Sequence, residues 1–163
     1  MSASIRELEG ELYNKGVDTV EYEYDDRRIE ISEDTDAIVI VGAGPVGMRL
    51  VSELVSLGVE TPVIVYGGEP VQPYNRVKLS DYLAGTVYRD EIYLHETRSN
   101  AIDIEYRYNC EVETINRAEK TVIDASGRIQ RYKSLVLATG SSPFMPMFGN
   151  RHFEGVYTFR TLR

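Results

Sequence analysis

The sequence predicts an α/β domain: a parallel sheet with helical connections, continued by a β-meander and preceded by a short helix-and-hairpin extension. Three observations carry this. Ala37-Ile38-Val39-Ile40-Val41 is an unbroken apolar run of the kind found in parallel strands buried on both faces. A segment of helical apolar period follows it, and a second apolar run occupies 62–66, which is the strand–helix–strand order of a βαβ unit. Farther on, short segments at 111–116, 121–124 and 128–132 are close enough in sequence to pair as a meander.

The elements follow in chain order. Residues 2–16 have a weak helical pattern, with Ile5, Leu8 and Leu12 on one side and Gly16 as a stop. Residues 20–24 alternate, 25–28 are polar turn formers and 29–31 alternate again, so a β-hairpin is expected there. Residues 32–35 form a linker. The chain therefore divides into an extension, 1–35, and a main domain, 36–163. After the strand at 37–41, a helix at 45–57 carries Val46, Leu50, Leu54 and Leu57 on one side and ends at Gly58. The strand at 62–66 is centred on Val63-Ile64-Val65. A short helix is expected at 79–83, a further segment at 89–94 and a strand at 102–106. The meander has its last turn at Ser126-Gly127, and a separate buried strand, Ser134-Leu135-Val136-Leu137-Ala138, leads into Thr139-Gly140 and a Pro-rich loop.

Composition limits the function classes. The 163 residues are 42% hydrophobic and 27% charged, the balance of a soluble globular protein. No apolar run approaches the roughly 18–20 residues needed to span a bilayer, and residues 1–11 have the acids and lack the apolar stretch of a signal peptide, so cytoplasmic residence without membrane contact is expected. The net charge of −8 repels phosphate backbones, so no nucleic-acid partner is expected. The one cysteine, Cys110, excludes a disulfide framework and is read as a packing residue. His95 and His152 stand apart from other ligating residues, and neither a metal site nor a catalytic residue is assigned.

Between the first strand and the helix lies Gly42-Ala43-Gly44-Pro45-Val46-Gly47, a G-x-G-x-x-G pattern. Its glycines suit a tight turn, a close backbone approach to a pyrophosphate and close helix–sheet packing, in that order. The pattern alone is weak, but here it sits after a buried strand and opens an amphipathic helix, which makes it a Rossmann-like dinucleotide site. A negative protein can still hold such a ligand, because the backbone N–H groups of a helix N-terminus act locally. The pattern also requires an acid about 20 residues on to receive the ribose hydroxyls. Gly67 and Gly68 occupy the places just after the strand, and Glu69 follows them. Glu69 is thus either the ribose contact, reaching back, or an ordinary solvated acid.

Four stretches then carry a resemblance: 39–47, containing the glycine pattern; Pro73-Tyr74-Asn75-Arg76-Val77-Lys78-Leu79-Ser80; Leu137-Ala138-Thr139-Gly140-Ser141-Ser142-Pro143; and Gly155-Val156-Tyr157-Thr158-Phe159-Arg160-Thr161-Leu162. With this order and spacing the chain resembles the FAD-dependent pyridine nucleotide-disulfide oxidoreductases, and among them the nitrite reductase large subunits and rubredoxin reductases. The resemblance covers about residues 36–163 and identifies the dinucleotide as FAD. It implies that Arg76 contacts flavin or phosphate, with Lys78 a second basic candidate, and that Ala138-Thr139-Gly140 passes close to the cofactor. Gly68 and Val112 join the implied contacts. Many relatives have a lysine directly after the Leu-Ser pair; Asp81 stands there in this chain.

The resemblance also sets expectations for activity. The disulfide reductases have a redox cysteine pair, which this chain lacks, so electron transfer through flavin without a thiol relay is implied. In the family an NADH-binding domain follows the Arg-Thr-Leu motif, so NAD(P)H is expected to bind a domain absent from these residues. The chain is read as the FAD-binding portion of an oxidoreductase, either an excised part or one completed by a second polypeptide, and not competent alone. Electrons would pass from NAD(P)H through FAD to a nitrite-reducing centre, a rubredoxin or a similar redox protein. The alternative is a non-catalytic nucleotide- or FAD-binding module that captures a partner chain through residues 1–35.

Overall fold

The computed structural model describes residues 30–144 and 157–162. The helix expected at 2–16 and nearly all of the hairpin expected at 20–31 lie outside the described residues. Within them the chain forms β1 (Ala37–Val41), α1 (Pro45–Ser56), β2 (Val63–Gly67), a 3-10 turn (Arg76–Lys78), α2 (Leu79–Leu83), a second 3-10 turn (Asp90–Ile92), β3 (Ile104–Tyr108), β4 (Val112–Asn116), β5 (Thr121–Asp124) and β6 (Ile129–Leu137).

The strands make a six-stranded sheet in the order β3-β2-β1-β6-β5-β4. β1 pairs in parallel with β2 and β6, and β2 with β3, whereas β5 pairs antiparallel with both β4 and β6. The expected parallel sheet and meander are thus both present, in one continuous sheet. They join differently from the expectation: the meander's third strand and the last parallel strand are a single strand. Ile129 to Arg131 pair with β5, and Tyr132 and Ser134 to Leu137 pair with β1. That second half is also less buried than expected, with Leu137 60% exposed.

Side-chain alternation divides the sheet into two faces. Ala37, Val39, Ile64 and Tyr66 point to one side, where they pack with Ile31, Val122 and Tyr132. Ile40, Val63 and Val65 point to the other, where Val51 of α1 and Ile102 and Ile104 join them. On α1 the buried residues are Gly47, Met48 and Val51, with Leu50, Leu54 and Val55 packed beside them; Val46 and Leu57, expected on that face, are exposed. The stripe is rotated because Gly47 is the point of closest approach to the sheet. A Cβ there would lie 2.0 Å from the Gly42 carbonyl oxygen.

Ile31, expected at the end of the hairpin, and residues 32–35, read as linker, are fastened to the first face by a buried polar network. The Arg107 guanidinium forms a two-pronged pair with Glu105, through Nε at 2.6 Å and Nη2 at 2.8 Å. It also donates to the Ile31 carbonyl, Tyr66 Oη and Gln130 Oε1. Glu105 accepts the Ile31 N–H at 2.8 Å, and the Gln130 amide donates to the carbonyls of Ser32, Glu33 and Thr35.

Candidate functional site

A cleft of about 660 Å³ opens beyond the carboxyl ends of β1, β2 and β6, the place where open α/β sheets bind ligands. Of the candidates read from the sequence, Gly42, Ala43, Gly44, Pro45, Val46, Gly68, Glu69, Arg76, Val112, Ala138, Thr139 and Gly140 line it. Gly47 and Lys78 do not. Gly47 is packed beneath the turn, and the Lys78 ammonium donates to the Glu91 carbonyl at 3.2 Å.

The glycine turn has the geometry its pattern implies. Gly42 adopts φ +121°, and a Cβ there would stand 2.2 Å from the Ala138 carbonyl oxygen, so any side chain would meet both strain and backbone. Its N–H donates to the Tyr66 carbonyl, and Ala138 N–H donates to the Val41 carbonyl, each at 2.8 Å, so the turn is wedged between the ends of β2 and β6. At Gly44 a Cβ would meet nothing within 4 Å. Gly44 is also the N-cap of α1; no side chain caps that end, and its first turn holds no acid. The positive end of a 12-residue helix is thus left open beside a residue without a side chain, which is the arrangement that receives a phosphate.

Across the cleft the structure joins residues that the sequence reading treated separately. Arg76 and Glu69 form an ion pair. Tyr74 Oη donates to Glu69 Oε2 at 2.7 Å and accepts from Arg76 Nη1 at 3.0 Å and from Leu162 N–H at 3.3 Å. Arg76 Nη1 also reaches the Arg160 carbonyl at 2.9 Å. Burial, and then the hydrogen bond to Glu69, push the Tyr74 phenol up to about 12, so it remains the donor in this cluster. Both Glu69 oxygens are engaged, and the cluster ties the end of β2 to residues 160–162 as well as lining the cleft.

Tyr74, Arg160 and Glu111 were assigned no contact from the sequence, although Tyr74 and Arg160 lie in stretches that carry the resemblance. Tyr74 had a local signal: it precedes Arg76 by two residues across an extended Asn75, which places both side chains on one side. Glu111 had none, because strand register brings it to the cleft. Cys110 lines the cleft and packs against Val39's face of the sheet, as a packing residue would. Burial, and then a hydrogen bond to Asp124, push its thiol up to about 11.

Known proteins match this architecture. The family model for pyridine nucleotide-disulphide oxidoreductases matches residues 10–163. The nitrite reductase [NAD(P)H] of Bacillus subtilis is 34% identical over 128 residues, which is 77% of this chain and 16% of that protein. The putidaredoxin reductase of Pseudomonas putida is 36% identical over 110 residues, 66% of this chain and 26% of that protein. Among solved structures, a covalent putidaredoxin reductase–putidaredoxin complex aligns with a TM-score of 0.61 at 34% identity, over 69% of this chain and 27% of that one. A ferredoxin reductase from Rhodopseudomonas palustris aligns with a TM-score of 0.65 at 26% identity, over 78% of this chain and 32% of that one. The chain therefore spans a third or less of each of these proteins. With the glycine turn, the sheet order and the cleft agreeing, this chain belongs to the pyridine nucleotide-disulphide oxidoreductase family.

Proposed function

We propose that the cleft holds FAD, and that the chain is the flavin-binding part of an NAD(P)H-dependent oxidoreductase whose acceptor is a nitrite-reducing centre or a small redox protein. The observation that carries this is Gly44, open to the cleft at the uncapped N-terminus of α1. The residues present fit the group. The helix end and the Gly44–Val46 backbone suit its pyrophosphate, and Gly68, Arg76, Val112 and Ala138-Thr139-Gly140 line the rest of the cleft, with Arg76 paired to Glu69 just past the end of β2. When bound, FAD supplies the redox chemistry, and the protein binds, orients and shields it. Arg76 gives the wall a fixed positive charge, held in place by Glu69, Tyr74 and the Arg160 carbonyl.

The acceptor class rests on the relatives, which include nitrite reductases and a reductase solved with putidaredoxin. We assign NAD(P)H to a separate domain, since the Gly-rich turn at 42–47 is committed to the FAD cleft. Titrating the chain with FAD and following the flavin absorbance near about 450 nm tests the reading. The wild type is expected to bind. Gly44→Ala is expected to keep its fold, because its Cβ enters open space, and to lose at least about tenfold in affinity. No binding by the wild type, or equal binding by both, refutes it.

A further inference from the structure

A Rossmann-like site needs an acid at the end of its second strand to receive the adenosine ribose hydroxyls. In this chain that place is Gly68, and the acid after it, Glu69, is occupied by Arg76 and Tyr74. The space that a side chain on residue 68 would fill is nevertheless not empty. A Cβ on Gly68 would lie 2.8 Å from Glu111 Cγ and 2.9 Å from Glu111 Oε1. We propose that Glu111, delivered from the segment between β3 and β4, is the ribose-binding acid of this cleft, standing in for a side chain at position 68. This inference rests on the FAD reading above and deepens it.

Backbone contacts fix the delivery. Gly67 pairs with Tyr108 at the end of the β2–β3 ladder. Beyond it, Cys110 N–H donates to the Gly67 carbonyl at 2.9 Å and Asn109 N–H to the Glu69 carbonyl at 3.0 Å. Asn109 takes φ +52°, in the left-handed region that asparagine tolerates, and this turns the chain back across the end of β2. The Glu111 carbonyl accepts the Ala125 N–H at 2.8 Å, which anchors the residue from the β5–β6 turn as well. Glu111 lines the cleft and is solvent-exposed. Among the described residues no hydrogen bond or ion pair engages its carboxylate, so both oxygens are available as acceptors. The absence of a side chain at Gly68 is then what makes room for Glu111.

The test uses the full chain, FAD, and the FAD analogue whose adenosine lacks both ribose hydroxyls. The wild type is expected to prefer FAD over the analogue by at least about tenfold, as a charge-assisted hydrogen bond implies. Glu111→Ala is expected to bind FAD at least about tenfold more weakly, to lose the preference, and to keep the wild-type unfolding midpoint, since the side chain is exposed. A Glu111→Ala variant that binds FAD as tightly as wild type, or binds both ligands weakly with the preference intact, overturns the assignment to Glu111 and leaves FAD binding standing. A wild type that binds neither ligand overturns both readings.

Discussion

Arg107 carries the heaviest structural demand of any single side chain described above. It is 8% exposed, as is its partner Glu105, and it also serves Tyr66, Gln130 and the Ile31 carbonyl. Removing one partner of such a pair strands the other charge in the interior. Arg107→Ala is expected to cost about 3–5 kcal/mol in urea unfolding; a loss below about 1 kcal/mol, the range of an exposed pair, would show that water reaches Glu105. Cys110 gives the opposite prediction, one of inertness. With its thiol raised to about 11, it should alkylate at pH 8 roughly a hundredfold more slowly than an ordinary cysteine, and labelling at the ordinary rate would contradict the burial that raises it. At this scale the sequence was most legible where chemistry is local. The glycines of 42–47 could be given their roles one by one, because each role is a steric property of its own backbone. Glu69 and Arg76 were legible as candidates that line the cleft but not as partners, and Glu111 was not legible, because its position depends on the pairing of β2 with β3.

At the scale of elements, the β5–β6 turn shows how a short connection can be fixed by one carboxylate. Asp124 Oδ1 accepts from Ser126 N–H at 3.0 Å, Ser126 Oγ at 2.6 Å and Arg128 N–H at 3.1 Å. Burial acts to raise its pKa, but the hydrogen bonds from Ser126, Cys110 and Arg128 outweigh it and hold the carboxyl below its ordinary value. A depressed pKa stabilises the fold while the group is ionised; this contribution is complete above the unfolded value of about 4 and is lost as pH falls through the lower folded value. Urea midpoints measured from pH 6 down to pH 2 should therefore fall less steeply for Asp124→Asn than for wild type; parallel profiles would remove Asp124 from the account. The same region explains the error over β6. Ser126-Gly127 was read correctly as a turn, but one strand was ended at Tyr132 and a separate buried one begun at Ser134. The two are one strand because β6 passes from β5, which it pairs through Arg131, to β1, which it pairs from Tyr132 onward with a register shift at the exposed Lys133. Periodicity reports faces, whereas a change of partner leaves the backbone unbroken.

Over the whole molecule, the sheet combines two halves of different burial. The parallel half places Val39, Ile40, Val63, Ile64 and Val65 fully out of solvent, between α1 on one face and the Ile31–Tyr132 cluster on the other. The antiparallel half ends at β4, an edge strand exposed along most of its length. Local opening free energies should follow this division, since they grow with buried apolar contacts. Amide hydrogen exchange is expected to be slowest in β1 and β2 and to quicken through β5 to β4. The cleft lies at the carboxyl ends of the slowest strands, so its glycine turn is held by the most stable part of the sheet, while Glu111 sits just before the least stable strand. FAD should then add little protection to β1, which is already slow, and most to Glu111, Val112 and the 42–47 turn. Exchange in β4 as slow as in β1 without ligand, or FAD protection confined to β1 and β2, would contradict this division of stability and the placement of the ligand that follows from it.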